Sequence, residues 1–386
     1  MNMKDKLFEQ VDALYPQYVK VWEDVCNIES PTDFKEGVDK VGKYFIKMAE
    51  ARGWQVEIFE QPVVGDAVCI TMNPDAKGTP MCLSGHMDTV HPVGAFGTPA
   101  VRMDEERIYG PGVADCKGGI VVAFLAMDAL DRIGFNARPV KLILQSDEEN
   151  SSSKSGKATI NYICEKAKGA RAFLNLEGLG YKTNELCLKR KGIINFEFTV
   201  SGIAGHASQC ATIGANAVLE AAYKIIELEK LKDVDGITCC CSVINGGTVP
   251  NTIPEKCVFG ANVRFATREQ GEWMRNYAET VATSNTVPGC SCTVKVLSDR
   301  PAMELVDRNI ELFNQMNAIY AENGLEPFLL GTRLGGSDAA YTTMLGVPTV
   351  DNIGAEGGKI HSIDEYGILS SLSKMAKKVA LAIAYL

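Results

Sequence analysis

Four apolar stretches of this chain end at, or lead into, side chains able to bind a hard cation, and that recurrence constrains the fold more than any other feature. Residues 81–83 read as the end of a buried strand and run into Ser84-Gly85-His86-Met87-Asp88-Thr89-Val90. Side chains two apart on an extended segment point the same way, so Asp88 can reach the outer nitrogen of His86. A carboxylate that fixes an imidazole in this way is a common device around zinc. Tyr109-Gly110-Pro111-Gly112-Val113-Ala114-Asp115-Cys116-Lys117-Gly118-Gly119 enters a long apolar helix at 120–130, with Asp115 just before it. The buried strand at 140–144 ends in Gln145-Ser146-Asp147-Glu148-Glu149, and the one at 172–176 ends in Glu177. In open α/β sheets the carboxyl ends of the strands are where sites are built.

Each segment also has a plainer use. Asp115 could cap the helix that follows it. Glu148 and Glu149 could form an acidic helix N-terminus, which the macrodipole favours. Adjacent carboxylates at the mouth of a buried strand weigh the other way, because like charges repel and a desolvated carboxyl keeps its proton unless a cation compensates. The glycines of 109–119 match neither the Walker nor the dinucleotide fingerprint, which argues against a nucleotide.

At 386 residues the chain is too long for one ordinary core, so two domains are expected. The net charge of −9 and the isoelectric point near 5.2 argue against nucleic acid or an anionic membrane as partner. A small anionic substrate stays open, since it sees only the local field of a cleft. No run reaches the roughly 18 apolar residues of a spanning helix. The N-terminus carries acids early and no apolar signal core, and so reads as a mature cytoplasmic start. Thirteen cysteines without a C-x-x-C pair read as reduced, buried thiols rather than a disulfide framework.

Helical spacing marks 3–29, where Pro16 is expected to break or kink the run, and 37–52, closed by Gly53. Strands dominate from 54 to 84. From about 190 the pattern changes to strand 193–200, helix 216–231, strands 237–244 and 256–265, helix 268–283 and strand 290–297. That β-α-β-β-α-β succession is a ferredoxin-like module. Helix 307–323, strand 347–350 and helix 369–386 then resume the α/β pattern. The expected architecture is an α/β domain, 1–189 and 300–386, with a mixed sheet flanked by helices. A ferredoxin-like α+β module, 190–299, is inserted in it.

Of the four histidines, His86, His206 and His361 lie in Gly-rich or polar loops at the ends of apolar runs. His91, beside Pro92, has no evident partner and reads as structural. Six segments now stand together: Ser84-Gly85-His86-Met87-Asp88-Thr89, Gly110 through Gly119, Ser146-Asp147-Glu148-Glu149, Glu177, Gly205-His206-Ala207-Ser208 and His361-Ser362. In order and spacing they resemble the signature set of the di-zinc aminoacylase/carboxypeptidase family (metallopeptidase family 20), over essentially the whole chain.

The resemblance implies hydrolysis of a peptide or amide bond in a small peptide or N-acyl amino acid with a free carboxylate, of glutamate-carboxypeptidase type. A di- or tripeptidase, an N-acyl-amino-acid deacylase and a non-catalytic dimeric binding protein are the alternatives. It implies that His86, Asp115 and Glu177 hold one Zn2+ and that Asp115, Glu149 and His361 hold a second, with Asp115 bridging. Co2+ or Mn2+ could substitute. Glu148 would be the general base, and Asp88 the partner of His86. A cis bond would follow Asp115. The resemblance also implies that 1–189 and 300–386 form the catalytic domain and that 190–299 is a lid and dimerisation domain, giving a homodimer in which His206 reaches the other subunit's site to polarise the scissile carbonyl. Asn251, Arg264, Arg300 and the loop carrying Gly336 and Ser337 would bind substrate, with serine at Ser337 where threonine is frequent. Cys116 departs from the aspartate or methionine frequent there. Mixed His and carboxylate ligands suit a catalytic zinc, and an arginine fork suits a free carboxylate.

Overall fold

The computed structural model describes residues 2–386. Two compact units emerge. The first comprises the chain up to Leu188 with Leu305–Thr332 and Tyr341–Leu386; the second comprises Lys189–Glu304 with Arg333–Ala340.

The first unit is built on a six-stranded mixed sheet. Its spatial order is Gln55–Phe59, Ala67–Met72, Val140–Gln145, Met81–His86, Ala172–Asn175 and Thr349–Val350. The last four run parallel and the first two pair antiparallel at one edge. Every residue of Met81–His86 is buried, as expected of a parallel strand covered on both faces. One face carries the helices Met3–Asn27, Lys117–Arg132 and Leu369–Tyr385, with Trp22, Phe124 and Leu381 in a single core. The other face is covered by the helix Ala158–Ala167 through Ile160 and Ile163. Each such fully buried large side chain contributes roughly 1.5–3 kcal/mol. Trp22 does more than fill space: its indole N–H donates to the Val113 carbonyl at 3.1 Å, tying the first helix to the segment that carries Asp115.

Pro16 does not break its helix, which runs through it from Met3 to Asn27. Pro16 and Asp12, whose carbonyl loses its helical donor, both face solvent, so water can replace the missing bond. A second, five-stranded sheet of short strands gathers Arg102–Met103, Arg107–Tyr109, Tyr366–Ile368, Glu356–Gly358 and Leu179–Gly180. It pairs the segment before His361 with Leu179–Gly180, just after Glu177, and the segment after His361 with Arg107–Tyr109. No described helix is long and apolar enough to cross a membrane. None of the thirteen cysteines is in a disulfide, and Cys210 and Cys240 are exposed rather than buried.

The second unit is an antiparallel four-stranded sheet in the order Thr238–Gly246, Lys256–Phe265, Gly192–Ser201, Ser291–Arg300. The helices Ala217–Glu229 and Arg268–Thr283 supply the rest of its own core, around Phe198, Phe259 and Met274. The chain order β-α-β-β-α-β with this spatial order is ferredoxin-like. The segment Arg333–Ala340, with its paired glycines, belongs to this unit as well.

Candidate metal centre and substrate-binding residues

His86 is the last residue of its strand, with the ring buried. Its Nδ1 lies 2.9 Å from the Asp88 carbonyl oxygen and 3.4 Å from the Asp88 carboxylate. The backbone oxygen is therefore the nearer acceptor, and a proton held at Nδ1 leaves Nε2 free to act as a ligand. The Asp88 carboxylate has a further task. One oxygen accepts the Glu148 N–H at 3.1 Å, and the other accepts the Glu149 N–H at 3.1 Å and the Thr32 hydroxyl at 2.7 Å.

Asp115 does not cap the helix Lys117–Arg132; Cys116 occupies the cap position, with no side-chain hydrogen bond. Glu148 and Glu149 lie in a turn, well before the helix Ala158–Ala167. The Asp115 carboxylate instead faces two histidines. Oδ1 is 3.0 Å from His86 Nε2 and Oδ2 is 3.2 Å from His361 Nε2. Glu149 stands 3.3 Å from His361 Nε2, and Glu177 stands 3.8 Å from His86 Nε2. The Asp115–Cys116 peptide bond is cis. His361 has φ +61°, a conformation L-residues seldom adopt outside sites that impose it. Gly119 explains part of the close packing: a Cβ there would lie 2.0 Å from the Leu176 carbonyl oxygen, so only glycine lets the helix start beside Glu177.

These spacings fit two cations. Donors about 2.0–2.2 Å from a tetrahedral ion lie roughly 3.3–3.6 Å from one another. The observed donor separations of 3.0, 3.2, 3.3 and 3.8 Å fall around that value. The donors of His86, Asp115 and Glu149 all lie within 4.8 Å of one another, as do those of His86, Glu148 and Glu177. Distance alone therefore admits Glu148 as a donor too.

Electrostatics point the same way. Burial, with the Asp115 charge added, pushes Glu149 up to about 8. Burial and the charges of Asp115 and Glu148 raise Glu177 well above the usual carboxylate range. Burial also opposes the charge on Asp115, but hydrogen bonds from His361 and His86 outweigh it and hold Asp115 low. The hydrogen bonds to Asp115 and Glu149 raise His361 to about 10. A centre that must share protons among buried carboxylates is one that divalent cations would relieve.

The second unit carries the other expected site residues in two groups. His206 is exposed, with Nδ1 2.8 Å from the Ser208 hydroxyl, and it pairs with Thr252 across a short ladder. The Asn251 carbonyl accepts the Ala207 N–H at 2.9 Å, so Asn251 and His206 are neighbours. Arg264 and Arg300 stand in register on opposite sides of Ile193, one on each strand flanking the central one. Gly336 packs against both Arg300 and Ile193: a Cβ there would lie 2.7 Å from the arginine side chain. Arg264 donates to Asn262 at 3.0 Å, and burial together with the Arg300 charge lowers its pKa. Ser337 is fully buried in the adjoining loop.

Two further buried residues of the first unit escape sequence patterning. Glu365 accepts hydrogen bonds from the 112–115 backbone, and His91 lies against it. The available signal was a carboxylate four residues beyond His361.

The profile of peptidase family M20/M25/M40 matches residues 82–385, and the chain belongs to that family of metal-dependent hydrolases. The chain is 28% identical over 360 residues to carboxypeptidase G2 of Pseudomonas sp. (strain RS-16), covering 92% of this chain and 86% of that one. It is 26% identical over 381 residues to succinyl-diaminopimelate desuccinylase of Nitrosospira multiformis, covering 90% and 92%. Its fold is similar to that of aminopeptidase PepT from Bacillus cereus, with TM-score 0.76, 22% identity and 96% and 98% coverage.

Proposed function

We propose that the chain is a two-zinc hydrolase that removes a carboxyl-terminal residue, glutamate-like in kind, from a small peptide or amide. One observation carries the reading: the two oxygens of Asp115 face different histidines, each beside its own glutamate. His86, Asp115 and Glu177 would hold one ion, and Asp115, Glu149 and His361 the other. When bound, such a pair polarises a carbonyl and makes water acidic enough to attack near neutral pH.

Glu148 takes the proton of the attacking water on its carboxylate and passes it to the leaving amine nitrogen. Its backbone N–H, held by Asp88, fixes where that carboxylate starts from. Arg264 and Arg300, in register and partly desolvated, bind the free carboxylate of the substrate by bidentate hydrogen bonds. Gly336 leaves room for the Arg300 side chain, and Ser337 and Asn251 supply polar contacts. His206 donates to the developing oxyanion in the partner subunit's site, across a homodimer formed by the ferredoxin-like unit.

The similarity to carboxypeptidase G2 supports the carboxypeptidase reading, and the similarity to a desuccinylase keeps an N-acyl-amino-acid deacylase as the second. A panel of C-terminal-Glu peptides, dipeptides, tripeptides and N-acyl amino acids, run on the zinc-loaded protein, separates them. The reading expects the highest kcat/KM on a substrate ending in an acidic residue. Highest kcat/KM on an N-acyl amino acid or a neutral dipeptide would contradict it.

A further inference from the structure

We infer that Glu365 is a positioning residue for the bridging carboxylate of Asp115, and that His91 orients Glu365. The inference rests on the two-ion reading of the centre. Glu365 is 1% exposed. Its Oε1 accepts the backbone N–H groups of Ala114 at 2.9 Å and Asp115 at 3.0 Å. Its Oε2 accepts the Gly112 N–H at 3.2 Å and lies 3.2 Å from His91 Nε2. Both oxygens are thus saturated by four donors, three of them from the backbone that ends at Asp115.

His91 is buried too, its ring set at 88° to that of Phe96 with centroids 4.9 Å apart. Its Nε2 faces the Oε2 of Glu365, and since a carboxylate oxygen accepts, the ring donates there. Glu365 itself is anchored by its N–H to the Ser362 carbonyl at 3.0 Å, inside the loop that carries His361. One carboxylate therefore joins three segments: 86–91 with His86, 109–115 with Asp115, and 361–365 with His361.

The consequence falls on Asp115. Its N–H and that of Ala114 are fixed by one oxygen, so the peptide plane entering Asp115 cannot turn. A carboxylate that bridges two ions roughly 3–4 Å apart needs both its oxygens placed at once, and turning that plane would move both. The polar partners of the Glu365 carboxylate are His91 and backbone N–H groups, with no candidate ligand side chain among them in the described residues. Glu365 acts on the centre through the backbone, unlike Asp88, which sits against the His86 ring.

Replacing Glu365 by glutamine keeps size and shape but puts an NH2 where one pair of donors needs an acceptor. His91→Phe removes the donor while keeping an aromatic ring, and His91→Gln restores an N–H near the same place. The test is Co2+ titration of metal-free wild type, Glu365→Gln, His91→Phe and His91→Gln. It is followed by visible absorption, with stoichiometry from equilibrium dialysis and native structure checked by circular dichroism. Outer partners of a metal site typically change affinity 10–100-fold, so Glu365→Gln should bind at least one ion about 10–100-fold more weakly. His91→Phe should show a smaller loss, on the order of tenfold, and His91→Gln should recover most of it.

A purely structural hub would lower thermal stability in the variants and leave the affinity of the native fraction unchanged. Natively folded Glu365→Gln with wild-type affinity at both sites would overturn the inference. If Glu365→Gln does not fold, the His91 pair decides: equal, wild-type affinity in both overturns it. Wild type binding fewer than two ions would remove the two-ion reading and this inference with it. Two ions in wild type with unchanged variants removes the Glu365 role alone.

Discussion

The Asp88 carboxylate accepts the backbone N–H of Glu148 at 3.1 Å, so the residue beside the His86 ring also holds the turn that carries the candidate base. Its other oxygen takes the N–H of Glu149 and the hydroxyl of Thr32. In Asp88→Asn one side of the group becomes a donor and must face an N–H or a hydroxyl. The expected result is a fall in kcat of about 10–100-fold at saturating metal, with native circular dichroism. Steady-state kinetics checks it, and a wild-type kcat would show that the two backbone contacts do not matter for turnover.

Glu148 and Glu149 are neighbours in one turn, and distance admits either as a ligand. The account assigns them different tasks. Glu148→Gln should keep its metal and lose at least about 10²-fold in turnover, the low end of a general base's contribution. Glu149→Ala should lose metal. Parallel metal analysis and kinetics on the two variants decide; metal loss in Glu148→Gln as complete as in Glu149→Ala would reverse the assignment.

The segments of His86, Glu148, Glu149 and Glu177 are visible in the sequence because they follow apolar strands whose burial is itself legible, as for Met81–His86 and Val140–Gln145, and that of Asp115 because it opens a long apolar helix. The ferredoxin-like unit is visible for the same reason, through the alternation in Gly192–Ser201 and Lys256–Phe265. Glu365 and His91 are not legible. Glu365 acts on backbone N–H groups some 250 positions away, and backbone donors leave no mark in side-chain periodicity. The short strands around Glu356–Gly358 and Tyr366–Ile368 are equally hidden, since three residues are too few to show a period. Pro16 misleads because its effect depends on which way the helix faces, and it faces water.

His206 lies in the unit that contributes none of the candidate metal ligands, and the account has it serve the other subunit. His206→Ala and Glu148→Gln homodimers should each be nearly inactive. Mixed, they form some dimers in which one site lacks both groups and the other is intact. Activity per such dimer should return to as much as half of wild type. No recovery on mixing, or a fully active monomer by sedimentation, would end the dimer proposal.

Away from the site, Lys378 is 1% exposed, with Nζ 3.4 Å from the centroid of the Phe328 ring and no hydrogen-bond partner among the described residues. Burial, with the Lys374 charge added, lowers its pKa to about 8. The unfolded chain, with a lysine near ~10.4, binds more protons between these two values, so stability rises with pH there. The cost of Lys378 is thus full below about pH 8 and fades toward ~10.4. Lys378→Met should stabilise the fold by on the order of 1–3 kcal/mol at neutral pH, with a gain that shrinks in alkali. Urea unfolding at pH 7 and pH 10 measures it; a gain that does not change with pH would contradict the assignment.

The most direct measurement of the two-metal centre is anomalous diffraction at the zinc edge from crystals of the zinc-loaded protein. The account predicts two peaks roughly 3–4 Å apart. One should contact His86, Asp115 and Glu177, and the other Asp115, Glu149 and His361. A single peak, or two peaks that do not share Asp115, would contradict it.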